Sequence, residues 1–326
     1  MKLLIVKTSS LGDLIHMLPA LSDAQQALPG LQVDWLAEAP FADIPTWHPA
    51  LQQVIPIAMR RWRRAWRSRQ TWQELAAARA QLQAQRYDAV VDSQGLLKSA
   101  LWSLQAHGLR IGYDRASARE PLAAWCYQRH CAVPRDQHAI ARNRQLLAQA
   151  LGYALPATGP DYGLQGLSKR LPPLEIALPQ RFVLGLHGTS RDDKLWPTEG
   201  WIALAQSLQA QGRQLLLPWG NEAEHARAQT IAQHSAAVQV LPRLGLNALA
   251  QVIAAAEAVV GVDTGLLHLA AALGRPGLAL YTATPPALTG AVSDRRAQAP
   301  LRNLSTPAEL QAPQVVQAVH ALLPQV

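Results

Sequence analysis

The sequence predicts an α/β protein built of two doubly wound domains, and three observations predict it. Short apolar strands alternate with stretches of helical periodicity along the whole 326-residue chain. That order calls for crossover connections, and so for parallel sheets with helices on both faces. A zone rich in Pro and Gly, "LPATGPDYGLQGLSKRLPP" at residues 155–173, interrupts the pattern near the middle. After it the pattern restarts, so that "KLLIVKTSSLGD" and "RFVLGLHGTSRDDKLWP" open the two halves alike. With about 150 residues per domain as the ordinary size, the expected units are two Rossmann-like domains at 1–165 and 172–326. They are expected to face each other across a cleft, with ligands at the carboxyl ends of the strands.

In the first half the strands are read at "KLLIV" (2–6), "QVDWLAE" (32–38) and "DAVVDSQ" (88–94). In the second half they fall at "RFVLGLH" (181–187), "RQLLLPW" (213–219), "AVVGVD" (258–263) and "PGLALYT" (276–282). Each is a short apolar or alternating run closed by a turn residue, as a buried parallel strand should be. Helical periodicity fills residues 71–85, 200–212 and 248–257. The final "QAPQVVQAVHALLPQV" reads as an amphipathic helix, expected to pack back on the first domain.

An apolar content of 49% fits a soluble globular protein. The opening "MKLLIVK" carries an apolar run too short for a signal peptide, and no run approaches the roughly 18 residues needed to span a bilayer. The chain is expected in the cytosol or against a membrane from that side. Cys126 and Cys131 lack metal-ligand spacing, so reduced thiols are expected. A formal charge of +8 asks for an anionic partner: nucleic acid, anionic lipid or a phosphorylated metabolite.

The strongest site signal is "AVVGVDTGLLHLAAALGRPGLALY", residues 258–281. A strand ends at Asp263, Thr264 and Gly265 turn into a helix, and His268 lies one turn in. Glycine lets a ligand approach the backbone, and the free N–H groups of a helix start suit a diphosphate. The same residues also admit a plainer role, with Asp263 and Thr264 as caps and His268 as a surface polar residue. At the strand exit "LHGTSRDDKLWP", Thr189, Ser190 and Lys194 offer hydroxyls and a cation to a leaving phosphate, or else the loop charges pair among themselves. Glu222 and Glu224 in "LPWGNEAEHARAQTIA" stand at a helix start, where a carboxylate holds ribose hydroxyls or favours the helix dipole.

The positive charge concentrates in "MRRWRRAWRSRQTW", residues 59–72, where six arginines interleave with tryptophans. Such an element suits nucleic acid, anionic lipid or mere solvation of a helix face. Lys98, Arg119, His138 and Arg142 extend the basic surface. The opening turn, Lys7 to Asp13, has the shape of a phosphate cradle but carries a carboxylate that would repel phosphate.

Together, "LLIVKTSSLGDLIHMLPALSDAQQALPG", "RRWRRAW", "YDAVVDSQGLLKSA", "GTSRDDKLWP", "LPWGNEAE" and "GVDTGLLHLAAALGRP" resemble, in the same order from Met1 to about residue 290, the heptosyltransferases of glycosyltransferase family 9. The resemblance implies the GT-B fold and an inverting transfer of L-glycero-D-manno-heptose from ADP-heptose to the 5-hydroxyl of Kdo on Kdo-lipid A. The site implied is the cytoplasmic face of the inner membrane, with the enzyme a peripheral monomer on an anionic surface. On the family's pattern Asp13 is the general base. Thr189, Ser190, Lys194, Glu224, Leu244, Asp263, Thr264, Gly265 and His268 hold the donor, Lys194 also serving catalysis. Ser10, Gly12, Arg60, Arg61, Arg63, Arg64, Lys98, Arg119, His138 and Arg142 engage the acceptor. The loop "YTATPPALTG", residues 281–290, departs from the family's Gly-Pro-Thr-Asp-Pro-like turn.

Inversion requires a carboxylate to take the acceptor's proton on the side away from the diphosphate, because like charge beside it would weaken donor binding. Asp13 in the first half meets that condition, while Lys194 and the N–H groups near Thr264 serve the second. No DxD-type pair is present, so no metal and no cofactor is expected. A nucleic-acid-binding protein explains the basic run but not the diphosphate features, and none is expected to bind. A later-acting heptosyltransferase or an epimerase of the same fold remains the nearer competitor, the epimerase lacking any need for an acceptor cluster.

Overall fold

Two six-stranded parallel sheets carry the chain, one in each half. The computed structural model describes residues 1–324 and divides into a unit ending at Gly163 and a second beginning at Leu164. That boundary falls within the Pro- and Gly-rich zone. In the first unit the strands are β1 (Lys2–Val6), β2 (Gln32–Glu38), β3 (Leu51–Ile57), β4 (Arg86–Asp92), β5 (His107–Tyr113) and β6 (Arg129–Cys131). Their order is β3-β2-β1-β4-β5-β6. The second unit has β7 (Phe182–Leu186), β8 (Gln214–Leu217), β9 (Val238–Val240), β10 (Ala258–Val262), β11 (Gly277–Leu280) and β12 (Arg302–Leu304). Here the order is β12-β11-β10-β7-β8-β9.

All seven strands read from the sequence are present. The five others escape periodicity for identifiable reasons. β6, β9 and β12 are three residues long. β3 contains Pro56, tolerated because β3 is an edge strand that lacks one neighbour. β5 alternates too weakly in "HGLRIGY", with only its last three residues buried.

The central strands are hydrophobic on both faces because helices cover both. Leu3 to Val6 of β1 and all of β7 and β10 are buried. In the first unit Leu4, Val6, Leu36 and Val90 pack with Leu82 of the helix Arg69–Gln83. In the second, Val183, Leu215 and Val260 pack with Trp201 and Leu204 of the helix Thr198–Gln209. At about 25 cal/mol per Å² of apolar surface, each such side chain stabilises its unit by about 1.5–3 kcal/mol.

One expectation is corrected. The C-terminal helix Ala312–Leu322 is a member of the second unit's own core, where Val315 and Val319 join the cluster around Trp201. Ser207 and His320 link it to the helix Thr198–Gln209 at 2.9 Å. Its apolar face is therefore spent on the sheet it follows.

Both sheets reverse winding at their centre. The switch points lie between β1 and β4 in the first unit and between β7 and β10 in the second, and the segments leaving these strands carry Asp13, Lys98, Lys194 and the Asp263–Gly265 turn.

Candidate active site

In the first unit the loop after β1 runs into a short helix, Leu11–Ile15, capped at Ser10. Asp13 folds back on this cap: its Oδ2 accepts from Ser10 N at 2.9 Å and Ser10 Oγ at 3.2 Å. Its other oxygen, Oδ1, lies 3.8 Å from the Arg119 guanidinium. One carboxylate oxygen thus fixes the loop while the second faces a cation.

The loop is held from β4. Asp92, fully buried, accepts from Ser99 Oγ at 2.8 Å, Tyr127 Oη at 2.7 Å and the backbone N–H of Gln94 at 2.8 Å. Burial raises its pKa, against these hydrogen bonds. Gln94 so placed uses its amide on the neighbouring strand's loop, accepting from Thr8 N at 2.8 Å and donating to the Ser9 carbonyl. Gly95, at φ +66°, completes the turn where a Cβ would stand 3.3 Å from Arg119 N.

Lys7 does more than shape the turn. Its stem is buried, and its Nζ donates to the Ser93 carbonyl at 3.0 Å and reaches Asn143 Oδ1 at 3.5 Å. Burial pushes its ammonium down to about 8; Asp13 and Asp92 oppose that push, while Arg119 and Arg142 add to it. Arg142 itself lies 4.8 Å above the Tyr113 ring and donates to Ser117 O at 2.7 Å. His138 packs its ring edge-on to His16 at 5.6 Å and accepts from Ile140 N at 3.2 Å as the cap of the helix Ala139–Leu151. Asp13 thus stands beside the Arg119 guanidinium and within charge range of the Lys7 ammonium.

At the end of β2 stands a further carboxyl that the sequence reading missed. Glu38 is buried, which raises its pKa, while Arg60 and Lys98 lower it by their charge. Arg60 and Lys98 are therefore brought to one place. Arg61 is not free as the basic run suggested: it forms a bidentate pair with Glu74 at 3.2 and 2.6 Å, and Trp62 Nε1 donates to the same carboxylate at 2.6 Å. The Arg61 hydrogen bond leads in pulling Glu74 down to about 2. Arg63 and Arg64 remain exposed.

In the second unit Lys194 reaches across from the loop after β7 to the end of β10, where its Nζ donates to Asp263 Oδ2 at 2.7 Å. Thr284 Oγ1 donates to the same oxygen at 2.7 Å, and Thr189 Oγ1 donates to the Asp263 carbonyl at 3.0 Å. Burial alone would raise the Asp263 carboxyl, but the Lys194 and Thr284 hydrogen bonds outweigh it and hold it below the usual carboxylate range. The loop charges pair only in part among themselves, through Arg191 and Asp193. Thr282 Oγ1 steadies that loop by donating to Asp193 O at 2.9 Å. The divergent loop 281–290 thus supplies two hydroxyls to this site.

Asp263 does not cap the following helix, Gly265–Ala272, and Thr264 at its start makes no side-chain cap. Leu267 N donates back to the Thr264 carbonyl at 3.1 Å, and the N–H groups of Gly265 and Leu266 are left for another acceptor. His268 is buried rather than on the surface, and it lies close enough to lower Asp263 by its charge.

Glu224, in the helix Glu222–Ala232, accepts from Gly220 N at 2.7 Å. It also fills the space over Gly188, where a Cβ would come within 2.6 Å of its carboxyl carbon. Glycine in "LHGTS" is thus what lets Glu224 approach β7, a requirement that the sequence pattern did not disclose. His187, pushed down to about 4 by burial, ties the ends of β7 and β8 through its Nε2 and the Pro218 carbonyl at 3.1 Å. Leu244 is half-buried in the loop after β9, and Ser190 is exposed. Among the described residues no three His, Cys, Asp or Glu side chains are placed to hold a metal ion. Cys126 and Cys131 are free thiols.

Residues 75–320 match the model of glycosyltransferase family 9 (heptosyltransferase). Lipopolysaccharide heptosyltransferase 1 of Escherichia coli (strain K12) is 47% identical over 307 residues, covering 93% of this chain and 95% of that protein. The solved structure of E. coli heptosyltransferase WaaC with ADP superimposes with a TM-score of 0.89 at 44% identity, covering 98% of each chain. The same enzyme with ADP-2-deoxy-2-fluoro heptose gives 0.87 at 44% identity, over 98% of this chain and 99% of that one. With paired parallel sheets of the GT-B type and a family match over most of its length, the chain belongs to glycosyltransferase family 9.

Proposed function

We propose that this protein is the heptosyltransferase that adds the first heptose to the lipopolysaccharide core, using ADP-heptose as donor and the 5-hydroxyl of Kdo on Kdo-lipid A as acceptor. The observation that carries the reading is the division of chemistry between the units. The first holds a carboxylate among cations, and the second holds a lysine, a ribose-type carboxylate and an uncapped helix start.

In this reading the acceptor oxygen attacks the anomeric carbon opposite the departing ADP. The new carbon–oxygen bond forms as the bond to the diphosphate breaks, the electron pair leaves with ADP, and the acceptor proton passes to Asp13. Lys7, Arg119 and Arg142 attract an anionic acceptor, with Ser10, Gly12, His138 and the exposed arginines of residues 60–64 around them. Lys194 has three N–H donors and spends one on Asp263, so the ammonium is aimed and still able to meet charge developing on phosphate. Thr264 and Gly265 add backbone N–H groups, Glu224 serves the ribose, and Ser190, Leu244 and His268 complete the donor side. The reaction placed this way needs neither metal nor cofactor. The enzyme works at the cytoplasmic face of the inner membrane as a peripheral protein.

The test is transfer from ADP-heptose to Kdo-lipid A, followed by mass spectrometry. Addition of one heptose is expected. Failure on this acceptor, with extension of an already heptosylated one, would assign the protein to a later step.

A pH profile follows from Lys7. Its charge is lost as pH rises through about 8, so the acceptor-side attraction and hence kcat/KM should fall there. Stability should move the other way: between about 8 and 10.5 the unfolded chain binds more protons at this site than the folded one, and stability then rises with pH. An activity flat to pH 9 with no such rise would contradict the assignment of Lys7.

A further inference from the structure

Eight of the eleven large apolar side chains that are exposed among the described residues lie between Trp66 and Trp125, all in the first unit. Scattered exposed apolar groups are ordinary, but a concentration of this kind marks a surface that is covered in use. Trp66 and Trp72 are 57% and 58% exposed, Leu101 51% and Trp125 77%. They belong to three neighbouring elements. The helix Leu97–Ser103 shows Leu97, Leu101 and, just past its end, Leu104 on one face at helical spacing. The turn Pro121–Cys126 packs beside it through Ala123 and Ala100 and presents Leu122 and Trp125. On the other side Trp102 joins it to the basic element, with its ring 6.1 Å from Trp62 and its Nε1 donating to Met59 Sδ at 2.9 Å.

Charge accompanies the apolar groups. Residues 59–72 contain six arginines and no carboxylate. Arg67 stacks on Trp66 at 4.8 Å, so that the aromatic face carries its own cation. An open apolar groove of about 270 Å³ lies between these tryptophans and Trp102, with Arg63 at its rim. Tryptophan beside arginine, with leucine projecting between them, is the composition of a segment that sits at the headgroup level of a bilayer. A protein partner would have to supply carboxylates at matched positions, whereas anionic headgroups supply negative charge across the whole face.

We propose that this face, formed by Trp66 and Trp72, the Leu97–Leu104 surface and Trp125, docks on the anionic headgroups of a lipid bilayer and carries the acceptor-binding loops to it. The docking face adjoins those loops directly: Leu97 N donates to Glu120 at 2.6 Å, next in sequence to Arg119, and Lys98 follows Leu97. The proposal rests on the reading above only for its purpose, that of reaching a lipid-linked acceptor. Its geometry stands on the apolar and basic residues alone.

The test compares the wild-type protein with the double variant Leu101→Ser, Trp125→Ser, neither residue being part of the catalytic or binding machinery. Flotation with phosphatidylcholine vesicles, with and without phosphatidylglycerol, should show wild-type binding only where the anionic lipid is present. For the variant, partition should fall by about tenfold or more, since two apolar groups no longer leave water. Turnover on a soluble, deacylated Kdo acceptor should be unchanged in the variant, which reports an intact fold, while turnover on vesicle-embedded acceptor falls. A wild-type protein that ignores anionic vesicles, or a variant that binds them equally, overturns the proposal. So does loss of self-association with vesicle binding intact, which would assign the face to a second copy of the chain. Lipid binding that behaves as expected in a protein without transfer on either acceptor would uphold the docking face and remove the heptosyltransferase reading instead.

Discussion

Asp13→Asn should lower kcat by about 10²- to 10⁴-fold, the usual worth of a positioned general base. The amide keeps one oxygen that can still accept from Ser10 N, so the cap at Leu11–Ile15 survives and the loss is chemical rather than structural. What disappears is a carboxylate able to take the acceptor proton. The ion pair with Arg119 at 3.8 Å also goes, but half of that guanidinium is in water, and an exposed pair of this kind contributes little. Steady-state kinetics on Kdo-lipid A checks this; transfer by the variant at near wild-type rate would remove Asp13 from the role.

Lys194→Met should cost about 10²- to 10³-fold in kcat and weaken donor binding besides, because the leaving diphosphate loses the cation aimed at it. The methionine fills the stem's space and isolates the charge. A second effect distinguishes the site from a solvated loop. Asp263 then keeps the Thr284 hydroxyl but loses its cation, in a setting whose burial alone raises the carboxyl. Its pKa should rise, and the variant should lose about 1–3 kcal/mol of stability, the range for leaving a buried group short of a partner. Thermal unfolding together with turnover measures both; a variant equal to wild type in both would return Lys194 to the solvent.

The architecture was open to sequence reasoning because a parallel strand buried on both faces writes itself as an unbroken apolar run. β1, β7 and β10 did so, and their exits could be named to within one residue. Edge strands do not, since one side meets solvent and three residues hold no period. Local features of the site were also legible: the carboxylate at Asp13, the Thr264–Gly265 turn and the carboxylate at Glu224 each lie within a few residues of a strand end. Partners distant in sequence were not. Lys194 meets Asp263 across 69 residues, and Thr284 joins them from the loop that the sequence marked only by its departure from the family's turn. Nor does a run of arginines disclose that Arg61 is committed to Glu74. Lys7 carried a signal that was passed over, a lysine closing an apolar strand at a switch point, where burial follows from the topology. The last helix misled because amphipathicity tells that a helix packs but not against which sheet.

On the proposed mechanism donor binding belongs to the second unit and proton removal to the first. Calorimetric titration of ADP into the wild type, Asp13→Asn and Lys194→Met tests it most directly. An Asp13→Asn dissociation constant equal to that of the wild type is expected, with a clear weakening in Lys194→Met. Weakening of ADP binding by Asp13→Asn as large as that by Lys194→Met would contradict it.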